Sequence, residues 1–412
     1  MTSFDTLVKR IDTTFLNVNK AIKLHIASPH LEWCIGGFSH TYYSSYQYID
    51  SFGSGLLQRS SNYLLGSVIT LIRDRFISSV LETIRSRYYQ PLTRLSYNIP
   101  DRDLNLFLAT LDDLLYSYWH QLRSWSFSEL FSFLNQACVH LNEYLELPTD
   151  LYKTVKEDHH NRCLAMYKLI RDEQKEPLSL QALCYLAIRA NWIDSYLDQQ
   201  RIDDFLITFP DELNDILDQA SWLDEFMMNN PYIDYHSLLY PIKGAPKHIL
   251  YELDNHGELL FDLLLIEHCL KRNHKITISS KHAPILNDVT YSDLNTVLAS
   301  AEFEHLKPYL SSQHLSIIDN GSTDVIPLRY GMSDAYIHAY QQADLVIMKG
   351  QGNFESFPLK RNFPLYKQPI AYRNDHIYLF GLKSTFSQRS FSLLKKQVPL
   401  ETLICHATMI FN

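Results

Sequence analysis

No glycine occurs between Gly66 and Gly244, and this does more than any other feature to limit what the chain can fold into. Tight hairpin turns need residues that accept positive φ, so so long a glycine-free run disfavours a meander of short strands. Helices tolerate it. Within the run, Leu104–Tyr118, Ser126–Leu147 and Leu178–Tyr196 carry apolar residues at three- and four-residue spacing, which predicts amphipathic helices. The chain therefore reads as helical to about residue 235. Asn229-Asn230-Pro231 marks a break, and the stretch from Pro241 to Lys247, with Gly244 and Pro246, opens a different pattern.

From His248 the sequence alternates between strand-like and helix-like runs. Strands are expected at His248–Leu253, Lys275–Ser279, Leu315–Asp319, Asp344–Met348 and Ile377–Leu382. Helices are expected at Gly257–Arg272, Tyr291–Phe303 and Ser333–Gln342. This alternation predicts an α/β domain with a mainly parallel sheet and right-handed crossovers. The expected division is a helical region over 1–235, whose first 100 or so residues form a separate extension, and an α/β domain over 236–412.

Composition narrows the function classes. A net charge of −9 opposes nonspecific attraction to nucleic acid or an anionic membrane. No apolar run reaches the roughly 18 residues of a membrane span, and the N-terminus lacks a signal-peptide pattern. The six cysteines are widely spaced and form no CxxC, which points to reducing cytoplasm rather than to a disulfide framework. Many of the 27 tyrosines lie in the N-terminal third, as helix packing or as a surface for a protein partner.

Three polar corners follow expected strands: Asp254-Asn255-His256-Gly257-Glu258, Asn287-Asp288, and Lys349-Gly350-Gln351-Gly352-Asn353. In open α/β sheets ligands bind beyond the carboxyl ends of strands, so these corners are placed for a shared site. A carboxylate and an amide at Asp254 and Asn255 suit a hard divalent cation. An ordinary capping box, with Asn255 as N-cap and Glu258 at N3, explains two of those residues equally well but not Asp254. Asp288 can face Asp254 if the two strands are neighbours; a cation would then relieve their repulsion. Thr290-x-x-Asp293 reads as a helix cap. Lys349 offers a point charge for phosphate, and the two glycines permit close backbone approach. Asn320-Gly321-Ser322, after another strand, could add donors to the site but reads first as a plain turn. Asp158-His159-His160-Asn161 reads as a solvated helix face. No HExxH, no Gly-x-Ser-x-Gly and no DxDxT-like run is present, which argues against those hydrolase classes.

Taken in order, Asp254-Asn255-x-Gly-Glu258 with Phe261-Asp262, Pro284-Ile285-Leu286-Asn287-Asp288-Val289-Thr290, and Asp344 through Glu355 resemble the damage-control phosphatases. Upstream, Asp150-x-Tyr152-x-x-x-Lys156-x-x-x-x-Asn161 and Ala187-Ile188-Arg189-Ala190-Asn191-Trp192-Ile193-Asp194 resemble two helical motifs of the same family. The resemblance covers about residues 150–390. It departs from the family pattern at Ala190, where a glycine is usual, at Ser384, where several relatives carry cysteine, and in lacking the paired N-terminal cysteines of some members.

The resemblance implies a helical N-terminal part and a three-layer, Rossmann-like α/β/α domain. It implies a divalent metal ion (Mn2+, Ni2+, Co2+ or Mg2+) on Asp254, Asn255 and Asp288, with Lys349, Gly350, Gly352 and Asn353 near a substrate phosphate. Asn191, Asp194 and Glu258 are expected to line or support the pocket. The expected substrate is a small phosphorylated metabolite, such as a sugar phosphate or a damaged phosphometabolite. Two other readings stay open: an S-adenosylmethionine-dependent carboxyl methyltransferase, and a scaffold that keeps the fold and binds a partner through the N-terminal helices.

Overall fold

A computed structural model describes residues 4–25, 74, 77–78, 80–82, 84–89, 97–118, 127–173, 177–194, 199–217, 222–234, 240–327, 332–356, 375–383 and 403–408. The chain divides into two compact units, the first running to Leu151 and the second beginning at Tyr152. The change from helical to alternating pattern near residue 236 thus falls inside the second unit. Much of the tyrosine-rich N-terminal sequence lies outside the described residues, as does Ser384.

The first unit is helical: α1 (Phe4–His25), α2 (Asp101–Ser117) and α3 (Phe127–Tyr144). Phe15 of α1 packs edge-on to Phe133 of α3 with centroids 5.4 Å apart and stacks on Tyr118 at 4.2 Å. Thr14 and His140 share a hydrogen bond of 2.9 Å beside that contact.

The second unit opens with α4 (Lys153–Glu173), α5 (Leu180–Arg189), α6 (Gln199–Leu217) and α7 (Trp222–Asn229). The sheet and its crossovers follow: β1 (His248–Glu252), α8 (Leu259–Lys271), β2 (Lys275–Ser280), α9 (Tyr291–Ala299), α10 (Lys307–Ser311), β3 (Leu315–Asp319), α11 (Asp334–Gln342), β4 (Leu345–Lys349), α12 (Gln351–Glu355), β5 (Asp375–Gly381) and β6 (Leu403–Thr408). The strand order is β3-β2-β1-β4-β5-β6. Neighbours from β3 to β5 pair in parallel, and β6 pairs antiparallel to β5. The expected mainly parallel α/β sheet is thus observed.

Alternation along β1 shows how the layers form. Tyr251 points to one face, where its hydroxyl donates to Asp262 of α8 at 2.8 Å. Glu252 points to the other, where it accepts a hydrogen bond from Tyr336 of α11. Adjacent strand residues face opposite sides, so helices cover both faces of the sheet. The central strands β1 and β4 are buried almost throughout, as expected of strands covered on both sides. On the α8 face, α5 and α4 pack over α8 to form an outer layer.

The five expected strands all occur, Leu315–Asp319 with its expected bounds and the other four with ends moved by one or two residues. Asp344 lies just before β4 and not in it, because its carboxylate accepts the His248 N–H at 2.8 Å and closes the start of β1. The helix expected over Leu178–Tyr196 is shorter. Ser179 caps α5 by accepting from Ala182 N at 3.1 Å, and the chain tightens into a 3-10 turn at Ala190–Trp192. The helix expected over Tyr291–Phe303 ends at Ala299 and continues as a 3-10 segment. Strand β6 lies beyond the last element expected from the sequence.

Among the described residues no helix is long and apolar enough to cross a membrane. The capping box at Thr290 is formed: its hydroxyl accepts from Asp293 N at 3.1 Å, and the Asp293 carboxylate accepts from Thr290 N at 3.0 Å. Thr290→Ala removes one of these bonds, and urea unfolding should register a loss of about 1 kcal/mol.

Candidate functional site

The chain leaves β1, runs to β2 and β3 on one side, then returns to β4 on the other side of β1. The carboxyl ends of β1 and β4 therefore flank the switch point at which α/β sheets bind ligands. Asp254 follows β1 and Gly350 follows β4. Gly350 has φ +81, and a Cβ built there would lie 1.9 Å from Asp254 Oδ2. The turn after β4 must be glycine for Asp254 to occupy its position. Gly352 is constrained in the same way by the backbone: a Cβ would meet the Val325 carbonyl oxygen at 2.5 Å.

The loops after β1 and β2 are joined through their backbones. Asn255 and Asp288 form an antiparallel bridge, His256 N donates to the Asn287 carbonyl at 2.8 Å, and Val289 N donates to the Asp254 carbonyl at 2.8 Å. Asp288, distant in sequence, is thereby brought to Asp254 and Asn255.

Asp254 Oδ2 accepts hydrogen bonds from Asn255 Nδ2 and Asn191 Nδ2, both at 2.9 Å. Burial raises the Asp254 pKa well above the usual carboxylate range, and the Asp288 and Glu258 charges push it further. Burial likewise raises Asp288 to about 6, against the pull of Lys281. Among the described residues nothing donates a hydrogen bond to Asp288 Oδ2, and Lys281 Nζ stands 3.5 Å from it.

Glu258 does not complete the capping box that its spacing suggested. It accepts from Asn255 N at 3.0 Å, but α8 starts at Leu259 and the Asn255 side chain turns to Asp254 and Glu258 instead of capping. The other Glu258 oxygen meets Lys349 Nζ at 3.0 Å, and Lys349 also reaches Asp262 Oδ1 at 2.8 Å. All three side chains are wholly buried. Burial opposes the charge on Lys349, yet Asp262 and Glu258 more than offset it and raise its pKa. Asp262 is pushed up to about 7 by burial, despite the nearby ammonium.

Lys349, expected from the sequence to meet a substrate phosphate, is instead wholly buried. Its ammonium is sealed beneath the site and held by two carboxylates. Asn353 is also a brace: its amide donates to the carbonyls of Leu253 at 3.1 Å and Lys349 at 2.8 Å, tying the end of β1 to the end of β4.

Sequence reading assigns no role to the lysines that border the acidic pair. Lys281, just past β2, lies beside Asp288 and donates to the Asp324 carbonyl at 2.5 Å. Lys383, just past β5, donates to Asp194 Oδ2 at 2.6 Å, and its charge favours ionised Asp254. Lys156 of α4 pairs with Asp293 at 3.0 Å. Lys281 and Lys383 each stand alone past a strand end, so spacing gave no signal; Lys156 falls within the Asp150–Asn161 stretch that resembles a family motif, but nothing in that spacing shows its partner. The Asp158–Asn161 stretch also differs from its expected solvated face. Asp158 and Asn161 are exposed, but His159 is buried, its Cβ 3.0 Å from where a Gly257 Cβ would lie. Asn320-Gly321-Ser322 is the expected turn, with Asn320 Oδ1 accepting from Ser322 N at 2.8 Å.

Among the described residues no three His, Cys, Asp or Glu side chains form a ready-made ligand set. The candidate set is two carboxylates and one amide oxygen, and it fits a hard divalent cation on charge. Asp194, Asp254, Glu258, Asp262, Asp288 and Asp293 face Lys156, Lys281, Lys349 and Lys383 in one linked cluster, six acids against four bases. With every group ionised, the formal surplus is two negative charges.

A family model described as the damage-control phosphatase ARMT1-like domain matches residues 94–395. A damage-control phosphatase from Pyrococcus horikoshii is 31% identical over 186 residues, 45% of this chain and 55% of that protein. An uncharacterised protein from Methanocaldococcus jannaschii is 34% identical over 110 residues, 27% of this chain and 32% of that one. A damage-control phosphatase from Archaeoglobus fulgidus is 27% identical over 107 residues, 26% of this chain and 33% of that one. The aligned part thus spans about half the length of the first relative and about a third of the other two. In fold, the chain is similar to the crystal structure of a DUF89 family protein from Pyrococcus horikoshii, with a TM-score of 0.55, 21% identity, and coverage of 80% of this chain and 96% of that one.

The raised Asp288 pKa has a measurable consequence in chelator-treated protein. A carboxylate whose folded pKa lies above its unfolded value near 3.9 weakens the fold as pH rises through the folded pKa, here about 6. Asp288→Asn removes that penalty. Its stability relative to the unsubstituted protein should therefore climb between pH 5 and pH 8, by about 1–3 kcal/mol, in urea unfolding with EDTA present.

Proposed function

The chain belongs to the damage-control phosphatase ARMT1-like domain family, matched over residues 94–395, and from that membership we propose that it is a metal-dependent phosphatase of small phosphate monoesters. The substrate class proposed is sugar phosphates or damaged phosphometabolites. The observation that carries this reading is the meeting of two buried carboxylates, Asp254 and Asp288, at the switch point of the sheet, each with its pKa raised.

In this reading Asp254, Asn255 and Asp288 hold a divalent cation, Mn2+, Ni2+, Co2+ or Mg2+, through oxygen atoms. When bound, the cation polarises the phosphoryl group and lowers the pKa of water. The rest of the chemistry falls to the chain's own groups. Asn255 turns its amide nitrogen to Asp254 and Glu258, which directs its carbonyl oxygen away from them. Lys281 and Lys383 flank the acidic pair from β2 and β5. They supply positive charge against which developing charge on phosphoryl oxygens can be balanced. Gly350 and Gly352 allow the turn after β4 to lie close over Asp254. Glu258 and Lys349 act from below, by holding Asn255 and Asn191 in place. The proposed location is the reducing cytoplasm that the cysteine usage suggests.

The test is inorganic phosphate release from a panel of sugar phosphates with added Mn2+. Activity should be abolished by EDTA and restored by Mn2+, and Asp254→Ala should reduce turnover by about 1,000-fold or more while the far-ultraviolet circular dichroism is unchanged. Turnover that persists in EDTA, or in folded Asp254→Ala, would contradict the assignment.

A further inference from the structure

We propose that Asn191 is a positioning residue: it sets the orientation of the Asp254 carboxylate and ties it to the end of β5, so that cation and phosphate affinity depend on one side chain that touches neither. The inference rests on the metal-site reading above.

Asn191 lies in the 3-10 turn that ends α5 and has no solvent exposure. Its Nδ2 donates to Asp254 Oδ2 at 2.9 Å and to both Glu258 oxygens at 3.1 Å. Its Oδ1 accepts the Gly381 N–H at 3.0 Å. Both polar atoms of the amide are thus engaged within the protein, and no face of it is turned to a substrate. A role as a pocket-lining substrate ligand, expected from the sequence, does not suit that placement.

The direction of these bonds gives the side chain its function. Asn191 and Asn255 both donate to the same oxygen of Asp254, Oδ2. With two N–H groups on Oδ2, the carboxylate cannot rotate without losing one of them, and Oδ1 is left as the oxygen for a cation. On its other side Asn191 holds Gly381, the last residue of β5. Two residues later Lys383 reaches back to Asp194, three residues after Asn191, at 2.6 Å. The turn after α5 and the end of β5 are therefore joined at two points, Asn191 to Gly381 and Asp194 to Lys383. Asn191 thus fixes the ligand oxygen of Asp254 and, together with Asp194, the join between the turn after α5 and the end of β5. Side chains that orient ligands in this way commonly change metal affinity by about 10–100-fold when removed.

Isothermal titration calorimetry on the full chain reads this directly, with Mn2+ first and inorganic phosphate second. Asn191→Ala should weaken Mn2+ binding by about tenfold or more, and phosphate binding to the Mn2+-loaded protein should weaken as well. Asn191→Asp keeps the size of the side chain and an acceptor for Gly381 but lacks the N–H donors. At pH 8 it should also bind Mn2+ about tenfold less tightly, and it decides the matter if Asn191→Ala does not fold. A side chain that served only stability would lower the thermal midpoint and leave the affinity of the folded variant unmoved. Mn2+ binding within about twofold of the unsubstituted protein in either folded variant overturns the proposal. Absence of Mn2+ binding by the unsubstituted protein would instead overturn the metal site on which it rests.

Discussion

Beneath the acidic pair lies an ammonium group with no path to water. Lys349 meets Glu258 and Asp262, and Asp262 also accepts the Tyr251 hydroxyl, so the group joins β4, β1 and α8 in one buried junction. Charges are costly to bury, and such a cluster persists because its members satisfy one another. Loss of one partner from a buried pair typically costs roughly 3–5 kcal/mol, since the remaining charge is stranded. The upper part of the site is built on this floor. Glu258, once anchored by Lys349, accepts the Asn255 backbone N–H and the Asn191 amide. The side-chain amides of Asn191 and Asn255 then fix Asp254. The chain of dependence runs from an ion pair that takes no part in chemistry to the carboxylate proposed to hold the cation.

The same electrostatics explain why the site suits a divalent ion. Burial makes Asp254 and Asp288 retain protons at higher pH than free carboxylates do, helped by repulsion from Asp288 and Glu258 at Asp254 and from Asp194 at Asp288. Lys281 and Lys383 reduce that repulsion without removing it. A hard cation relieves it further and competes with the protons for the same oxygens. Binding of metal and loss of protons are therefore linked, and the arrangement has chemical logic even though none of its residues is unusual alone.

Much of this was legible in the sequence, for physical reasons that differ from part to part. The strands could be read because both faces of the sheet are covered, so β1 and β4 are nearly continuous apolar runs. The corners could be read because polar residues directly after such runs need a purpose. Depth could not be read. Lys349 follows an apolar strand and looks like an outward cation. Yet the register pairs Ile347 with Tyr251, and Lys349, two residues on, points to the same face, towards Asp262. That outcome needs the strand order as well as the sequence. Lys281 and Lys383 escaped notice because each stands alone past a strand end, and only folding brings them to Asp254 and Asp288. The shortened α5 has a similar origin: helical periodicity continues through Asn191, but a tertiary bond to Asp254 draws the chain into a tighter turn.

Closure of the Lys349 junction also sets how the molecule should respond to its surroundings. Dissolved ions screen charge over about 8 Å of solution at physiological strength, but they act poorly on pairs they cannot surround. Salt should reach the ion pairs at the rim, such as Lys168 with Glu302, which are partly open to solvent. It has little access to the three groups that share the floor. Amine-directed reagents face the same barrier, so a lysine with the reactive chemistry of any other is shielded by geometry alone.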